Sequence, residues 1–170
     1  MRLLIVIAAY LITFSCYGSH FPGESGTTDR DHNVPGTRFP EPQPKLRQYA
    51  ESLLKQMPFE MEAGQRCVVL NAVRAVCRYK NWGLLAAHVR ANHVHIIVDV
   101  DTSPELAMNV LKAYASRALN LAYPQEKGRI RWTRHGSTRH LWSAERVDAA
   151  MRYVLEKQGE IMAWYRLPAP

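Results

Sequence analysis

The chain has 170 residues and a formal charge of +7 at neutral pH, which bounds it to one domain of ordinary size with a basic surface. Hydrophobic residues make up 47% of it and charged residues 22%, so wholesale disorder is excluded. Its three cysteines include no CxxC pair, which argues against a disulfide scaffold and against a thiolate zinc site.

The positive charge is concentrated in the second part of the chain. Residues 1–62 carry six Lys/Arg and seven Asp/Glu, whereas residues 63–170 carry sixteen and eight. Between Lys112 and Arg139 there are seven basic residues and one acidic residue. A basic stretch is often only a solvated face, but its density here favours a polyanionic partner such as nucleic acid.

Residues 3–14 form an apolar run behind Arg2. The run is too short to cross a bilayer, which needs about 20 residues. Its β-branched and aromatic residues predict a buried strand, although it also resembles the apolar core of a secretory signal. The basic second part of the chain favours the strand.

The next segment, residues 18–62, is rich in proline and turn-forming residues and predicts a surface insertion with a short helix at 45–56. The spacing of apolar residues predicts a helix from Ala63 to about Gly83, followed by an antiparallel hairpin of strands 84–89 and 93–100. Ser103 and Pro104 begin a helix that runs to about Leu121. Its predicted apolar stripe is Leu106, Val110, Leu111, Tyr114, Ala118 and Leu121.

Residues 128–142 predict short extended pieces on either side of His135-Gly136. Ser143 caps a last helix over residues 144–158, which Gly159 closes. With right-handed crossovers, the order β-α-β-β-α-β predicts a single α+β domain over residues 1–170. We expect a ferredoxin-like antiparallel sheet with helices on one face, plus the C-terminal helix.

The tripeptide His93-Val94-His95 is the sharpest local feature. Side chains two apart on a strand point to the same face, so both imidazoles can converge on one ion. Two neutral imidazoles leave coordination positions open, which suits a catalytic ion. Taken alone, such a tripeptide is more often a pair of exposed or internally hydrogen-bonded histidines.

Tyr153 lies on the last predicted helix, away from the core stripe. At about 100° per residue, that stripe consists of Val147, Ala150, Met151 and Val154. The position of Tyr153 on the flank suits either amphipathic packing or a reactive phenol.

Four segments, taken in order, resemble the HUH-superfamily single-tyrosine transposases, and more narrowly the REP-associated tyrosine transposases and their IS200-like relatives. The segments are RANHVHIIV, KAYASRALN, RWTRHGSTRHLW and AAMRYVLEKQG. The N-terminal AYLITFSCYG resembles the first strand of that family, which further favours the strand over a signal peptide. The resemblance covers most of residues 9–165, and HxH followed by a late helical tyrosine is far more specific than HxH alone.

The resemblance implies metal-assisted cleavage and rejoining of single-stranded or hairpin DNA. His93 and His95 would hold Mg²⁺ or Mn²⁺, which polarises the scissile phosphate. Tyr153 would attack that phosphate and leave a 5′-phosphotyrosine and a free 3′-hydroxyl. Because one phosphodiester replaces another, rejoining needs no nucleoside triphosphate.

The third metal ligand departs from the family pattern. The family often places a polar ligand four residues after the tyrosine, where this chain has Lys157, which cannot ligate while it is charged. Glu156 lies within about 60° of Tyr153 on a helical wheel and could substitute. Gln158 is the other candidate.

The basic segment fits the same resemblance as a DNA-binding surface. Its arginines interleave with Trp132 and Trp142, which suits phosphates and stacked unpaired bases. The predicted DNA contacts are Lys112, Arg117, Arg129, Arg131, Arg134 and Arg139.

These features predict a cytoplasmic, nucleoid-associated bacterial transposase that binds DNA and no membrane. Both a monomer and a homodimer are compatible with the sequence. Tyr153 could act at the histidine pair of its own chain (in cis) or of a partner chain (in trans). The first alternative is a domesticated protein that binds hairpin DNA without cutting it. The second is an exported protein that loses its first ~19 residues and binds metal for another purpose.

Overall fold

The structure is a computed structural model that describes residues 9–21 and 41–168. Within these residues the chain forms five strands, four α-helices and a short 3₁₀ turn. The strands are β1 (Ala9–Cys16), β2 (Gly83–Val89), β3 (His93–Asp99), β4 (Trp132–Leu141) and β5 (Ala163–Arg166). The helices are α1 (Pro44–Ser52), α2 (Ala63–Tyr79), α3 (Pro104–Ala122) and α4 (Ala144–Glu156).

All five strands pair antiparallel in one open sheet, in the order β4-β1-β3-β2-β5. Strands β1 to β4 with α2 and α3 have the predicted β-α-β-β-α-β order, so the predicted α+β fold class is confirmed. β1 lies inside the sheet between β3 and β4, while residues 3–8 of the apolar run lie outside the described residues. β5 pairs with β2 at one edge and was not predicted.

The two helices of the β-α-β-β-α-β unit, α2 and α3, share one face of the sheet as expected, and α4, whose face was not predicted, covers the other face. α2 and α3 pack on one face over a large core that includes Val94, Ile96 and Val98 of β3. α4 packs alone on the other face, over a smaller core that includes Ile97. Because side chains alternate along a strand, His93 and His95 belong to the face that α4 covers.

The buried stripe of α3 also differs from its prediction. Leu106 and Leu121 are 54% and 84% exposed, and the buried residues instead recur at four-residue spacing. They include Ala107, Leu111, Ala115 and Leu119. Of the predicted stripe, Leu111 is buried, and Val110 and Tyr114 pack partly buried against the same core.

The predicted surface insertion contributes to the core at its C-terminal end. Phe59 and Met61 are buried, and their backbone N–H groups donate to the carbonyls of Tyr17 at 2.8 Å and of Ala91 at 2.7 Å. Residues 22–40 of that segment lie outside the described residues.

β4 is one continuous strand rather than two pieces separated at His135-Gly136. A Cβ atom at Gly136 would lie 2.5 Å from the Thr13 carbonyl oxygen and 2.5 Å from Met108 Sδ. Glycine is therefore required for close approach of β4 to β1 and α3, not for a turn.

Among residues 9–21 and 41–168, no helix is both long enough and apolar enough to cross a membrane.

Candidate active site

A row of polar and aromatic residues crosses the sheet beneath the C-terminal end of α4. Thr13 of β1 pairs with His95 of β3. His95 pairs with His88 of β2, and His88 pairs with Trp164 of β5. Directly opposed residues in antiparallel strands point to the same face, so these four side chains lie on one face of the sheet.

His93 and His95, called the histidine pair below, have ring centroids 4.7 Å apart. The Nδ1–H of His93 donates to the Asn92 amide oxygen at 2.6 Å, which leaves the lone pair on its Nε2 free. The Nδ1 of His95 lies 2.8 Å from the Thr13 hydroxyl oxygen. Each ring is thus fixed through Nδ1 and keeps Nε2 for another partner.

Gln158 connects the histidine pair to α4. Its side-chain oxygen lies 3.3 Å from His95 Nε2, and its amide also acts to raise the pKa of His93. Its side-chain nitrogen donates to the Tyr153 carbonyl at 3.5 Å. The predicted helix over residues 144–158 ends at Glu156, so Gln158 lies in the turn after α4.

Glu156, the other candidate for a third ligand, lies elsewhere. It lines a surface cavity beside Arg152 and Arg166. Within the described ranges, no three His, Cys, Asp or Glu side chains come together in a way that could hold a metal ion. The structure therefore brings Gln158, and not Glu156, to the histidine pair.

Tyr153 lies beside His95. The two ring centroids are 5.8 Å apart with an interplanar angle of 68°. α4 buries Val147, Ala150 and Val154 against the sheet, which leaves the Tyr153 side chain on the flank. The residue is 45% exposed, so its phenol is open to a large ligand.

Burial is the main cause that lowers the pKa of both members of the histidine pair from 6.5 to about 4, and the other histidines and Arg90 contribute in the same direction. The hydrogen bond to the Gln158 side-chain oxygen opposes the shift. The other histidines include His20, whose ring centroid lies 6.0 Å from that of His93. The pair is neutral at pH 7, which is the form that ligates a cation.

Several residues at this site were not predicted from the sequence. Thr13, Asn92, His88, Arg90 and His20 each contact the histidine pair or act on its charge. Asn92 could have been found, because it directly precedes the HxH tripeptide. The others are distant in sequence or lie outside any motif, so only the strand register identifies them.

The predicted DNA contacts are divided by the structure. Lys112 is buried, and its ammonium donates to the carbonyls of Thr133 at 2.9 Å and His135 at 3.1 Å. Arg131 is also buried and pairs with Glu126 at 2.7 Å. Contrary to expectation, both cations are bound by groups within the protein, and the proposed DNA surface does not include them.

The remaining four cations are at least partly exposed. Arg129 donates to the Pro58 carbonyl at 3.0 Å, and Arg117 lies on α3, on the far face of the sheet. Arg134 and Arg139 are exposed on β4. Arg139 is opposite Leu11, whose side chain packs in the core under α4, so Arg139 lies on the face of the histidine pair.

Acid should destabilise the protein between about pH 6.5 and pH 4. In this window the unfolded chain binds protons on His93 and His95 that the folded chain does not, so the free energy of unfolding falls as the pH falls. Urea unfolding at several pH values measures this slope. We expect a shallower slope for His95→Gln than for the wild-type protein; equal slopes in the two proteins would contradict the assignment.

Comparison with known proteins gives the family. A family model described as "Transposase IS200 like" matches residues 54–157. A solved structure described as "Structure of the REP associates tyrosine transposase bound to a REP hairpin" is similar with a TM-score of 0.49 and 12% identity, covering 92% of this chain and 70% of that one. No curated protein matches the sequence. Because the family model spans more than half of its residues, the chain belongs to the IS200-like transposase family.

Proposed function

We propose that this protein cleaves and rejoins single-stranded or hairpin DNA, with Tyr153 as the nucleophile and the histidine pair as the core of a divalent-metal site. Membership of a transposase family supports DNA as the substrate. One observation carries the proposal: the exposed Tyr153 phenol lies beside His95, with ring centroids 5.8 Å apart, in a chain that keeps this histidine neutral.

The residues present fit a divalent cation. Two imidazole nitrogens and the Gln158 amide oxygen form a neutral donor set that leaves other coordination positions open. The Thr13 hydroxyl can donate to or accept from His95 Nδ1, so it supports the ring whether or not Nε2 is engaged. We assign Mg²⁺ or Mn²⁺, which when bound would polarise a phosphodiester oxygen.

The chain's own residues supply the nucleophile and its position. The Tyr153 oxygen would form a bond to phosphorus as the bond from phosphorus to the 3′-oxygen breaks. The phenol proton is lost, the released 3′-oxygen takes up a proton, and a 5′-phosphotyrosine remains. A neutral phenol is a weak nucleophile, so placement beside the phosphate is the main contribution of α4.

The substrate would lie across the face of the sheet that α4 covers. Arg139 is on this face, and the Arg90 charge acts at the histidine pair itself. Tyr153 and His95 are neighbours within one chain, which supports action in cis. A homodimer is then not required for cleavage.

Replacing Tyr153 with phenylalanine should abolish the covalent protein–DNA adduct, because the attacking oxygen is removed. Hairpin DNA carrying a single-stranded arm is incubated with Mn²⁺ and protein, and the adduct is resolved on a denaturing gel. DNA affinity of Tyr153→Phe should stay within about twofold of wild type, since only one hydroxyl is lost.

Tyr79→Phe is the matched control, because Tyr79 is 75% exposed at the end of α2. This variant should form the adduct at the wild-type rate. A wild-type protein that binds hairpins but forms no adduct on any of them would instead establish the non-cleaving hairpin-binding protein.

Gln158→Ala should weaken Mn²⁺ binding by about tenfold or more, since loss of even an outer-shell partner commonly has this effect. Glu156→Ala should leave the affinity unchanged, because Glu156 lies in the cavity beside Arg152 and Arg166. Titration followed by the Mn²⁺ electron paramagnetic resonance signal measures both. The reverse order of effects would assign the third ligand to Glu156.

Arg139→Ala should reduce the salt dependence of single-stranded DNA binding, with the slope of log K against log salt falling by about 0.7 for each lost phosphate contact. Arg117→Ala removes the same charge from α3 on the far face and should leave the slope unchanged. If the two variants behave alike, the DNA does not follow the face of the histidine pair.

A further inference from the structure

His88 is a buried histidine whose ring nitrogens are both engaged by backbone groups. It is 1% exposed, and its Nδ1 lies 2.8 Å from the Val154 carbonyl oxygen. Its Nε2 accepts the Met162 N–H at 3.1 Å. A carbonyl can only accept and an N–H can only donate, so the ring is the neutral tautomer with its proton on Nδ1.

These two hydrogen bonds join parts of the chain that would otherwise separate. Val154 directly follows Tyr153 in the last turn of α4, and Met162 directly precedes β5. His88 itself is the cross-strand partner of His95. One side chain therefore fastens the end of α4 and the start of β5 to the strand beside the histidine pair.

The Val154 carbonyl needs such a partner. The last four carbonyls of an α-helix have no partner within the helix, and Val154 is 0% exposed. Without the imidazole, this carbonyl and the Met162 N–H would be buried unpaired or would have to move towards water. Movement of this turn would displace both Tyr153 and Gln158.

We propose that His88 is a positioning residue, whose neutral imidazole with its proton on Nδ1 holds the end of α4 so that Tyr153 and Gln158 reach the histidine pair. The inference rests on the proposed roles of Tyr153 and Gln158. It assigns a function to a histidine that neither ligates metal nor contacts DNA.

His88→Phe and His88→Gln test the proposal in the full chain. Phenylalanine keeps a ring but removes both hydrogen bonds, and the rate of adduct formation at saturating DNA should fall about tenfold or more, because misplacement of reacting groups is costly. The DNA affinity should not change. Glutamine can donate to the Val154 carbonyl and accept from the Met162 N–H, so His88→Gln should recover most of the rate.

Val76→Ala is the control for general destabilisation, because Val76 is a fully buried residue of α2 in the core on the opposite face. Its adduct rate at a temperature where it is folded should equal that of wild type. The proposal is overturned if His88→Phe keeps the wild-type rate, if Val76→Ala loses as much, or if His88→Gln recovers nothing.

Nuclear magnetic resonance gives a readout that does not depend on cleavage. In the wild-type protein, the ¹⁵N shifts of the His88 ring should identify the neutral tautomer with its proton on Nδ1, and ring protons of Tyr153 should show nuclear Overhauser contacts to His95. A proton on Nε2 overturns the inference. If the wild type forms no adduct but shows both signals, and His88→Phe loses the Tyr153 contact, the cleavage proposal fails while the positioning role stands.

Discussion

The attachment of α4 to its face of the sheet is the constraint on which the site depends. α4 packs alone there, over a small apolar core that includes Ile97, Ala150 and Val154. Val154 carries that core into the last turn of the helix, where it is fully buried. Polar contacts through His88 and Gln158 also hold the last turn. The position of Tyr153, the proposed nucleophile, is therefore set by hydrogen bonds together with the burial of its neighbour Val154.

One face of the sheet supplies most of the apolar core, and the other face carries the candidate site. The face under α2 and α3 holds the larger core, with Phe14, Ile96 and Leu111 among its fully buried members. The other face can then carry polar residues without losing the fold. This is the arrangement expected when stability comes from one layer and a functional site is grafted on the other. β3 serves both, because alternate residues of one strand face the two layers.

Those parts of the site that obey a fixed period could be predicted from the sequence. The HxH tripeptide has period 2, so its two imidazoles share a face in any strand. Tyr153 lies off the apolar stripe of α4. Moving the predicted start of the helix by one or two residues does not change this. The choice between Glu156 and Gln158 as the proposed third ligand could not be made this way, because the 100° rule applies only within the helix. α4 ends at Glu156, and the chain turns at Gly159, which has a φ of +77°. Gln158 therefore reaches the histidines from the turn after the helix, where a helical wheel does not apply.

Two of the predicted DNA contacts are buried because charge in a sequence does not show which partner a cation finds. Arg131 meets Glu126 of the nearby 3₁₀ turn, and Lys112 meets carbonyls of β4 whose identity depends on the register of an edge strand. β5 was missed because four residues hold too little periodicity to distinguish a strand from a coil. The Lys112 contact and the pairing of β5 with β2 join segments that a local pattern cannot relate.

The proposed ligand set of His93, His95 and Gln158 carries no charge, and this affects how strongly a phosphodiester would be attracted to the site. Carboxylate ligands would cancel part of the charge of a divalent cation, whereas two imidazoles and an amide cancel none of it. The Arg90 guanidinium adds to the same field, and it is held near the site by its bond to the Glu160 carbonyl at 3.0 Å. Burial is the main cause of the low pKa of each histidine, and the positive charge of Arg90 acts in the same direction. That charge also favours an anion at the site, so Arg90 both helps to keep the histidines neutral and attracts a phosphodiester.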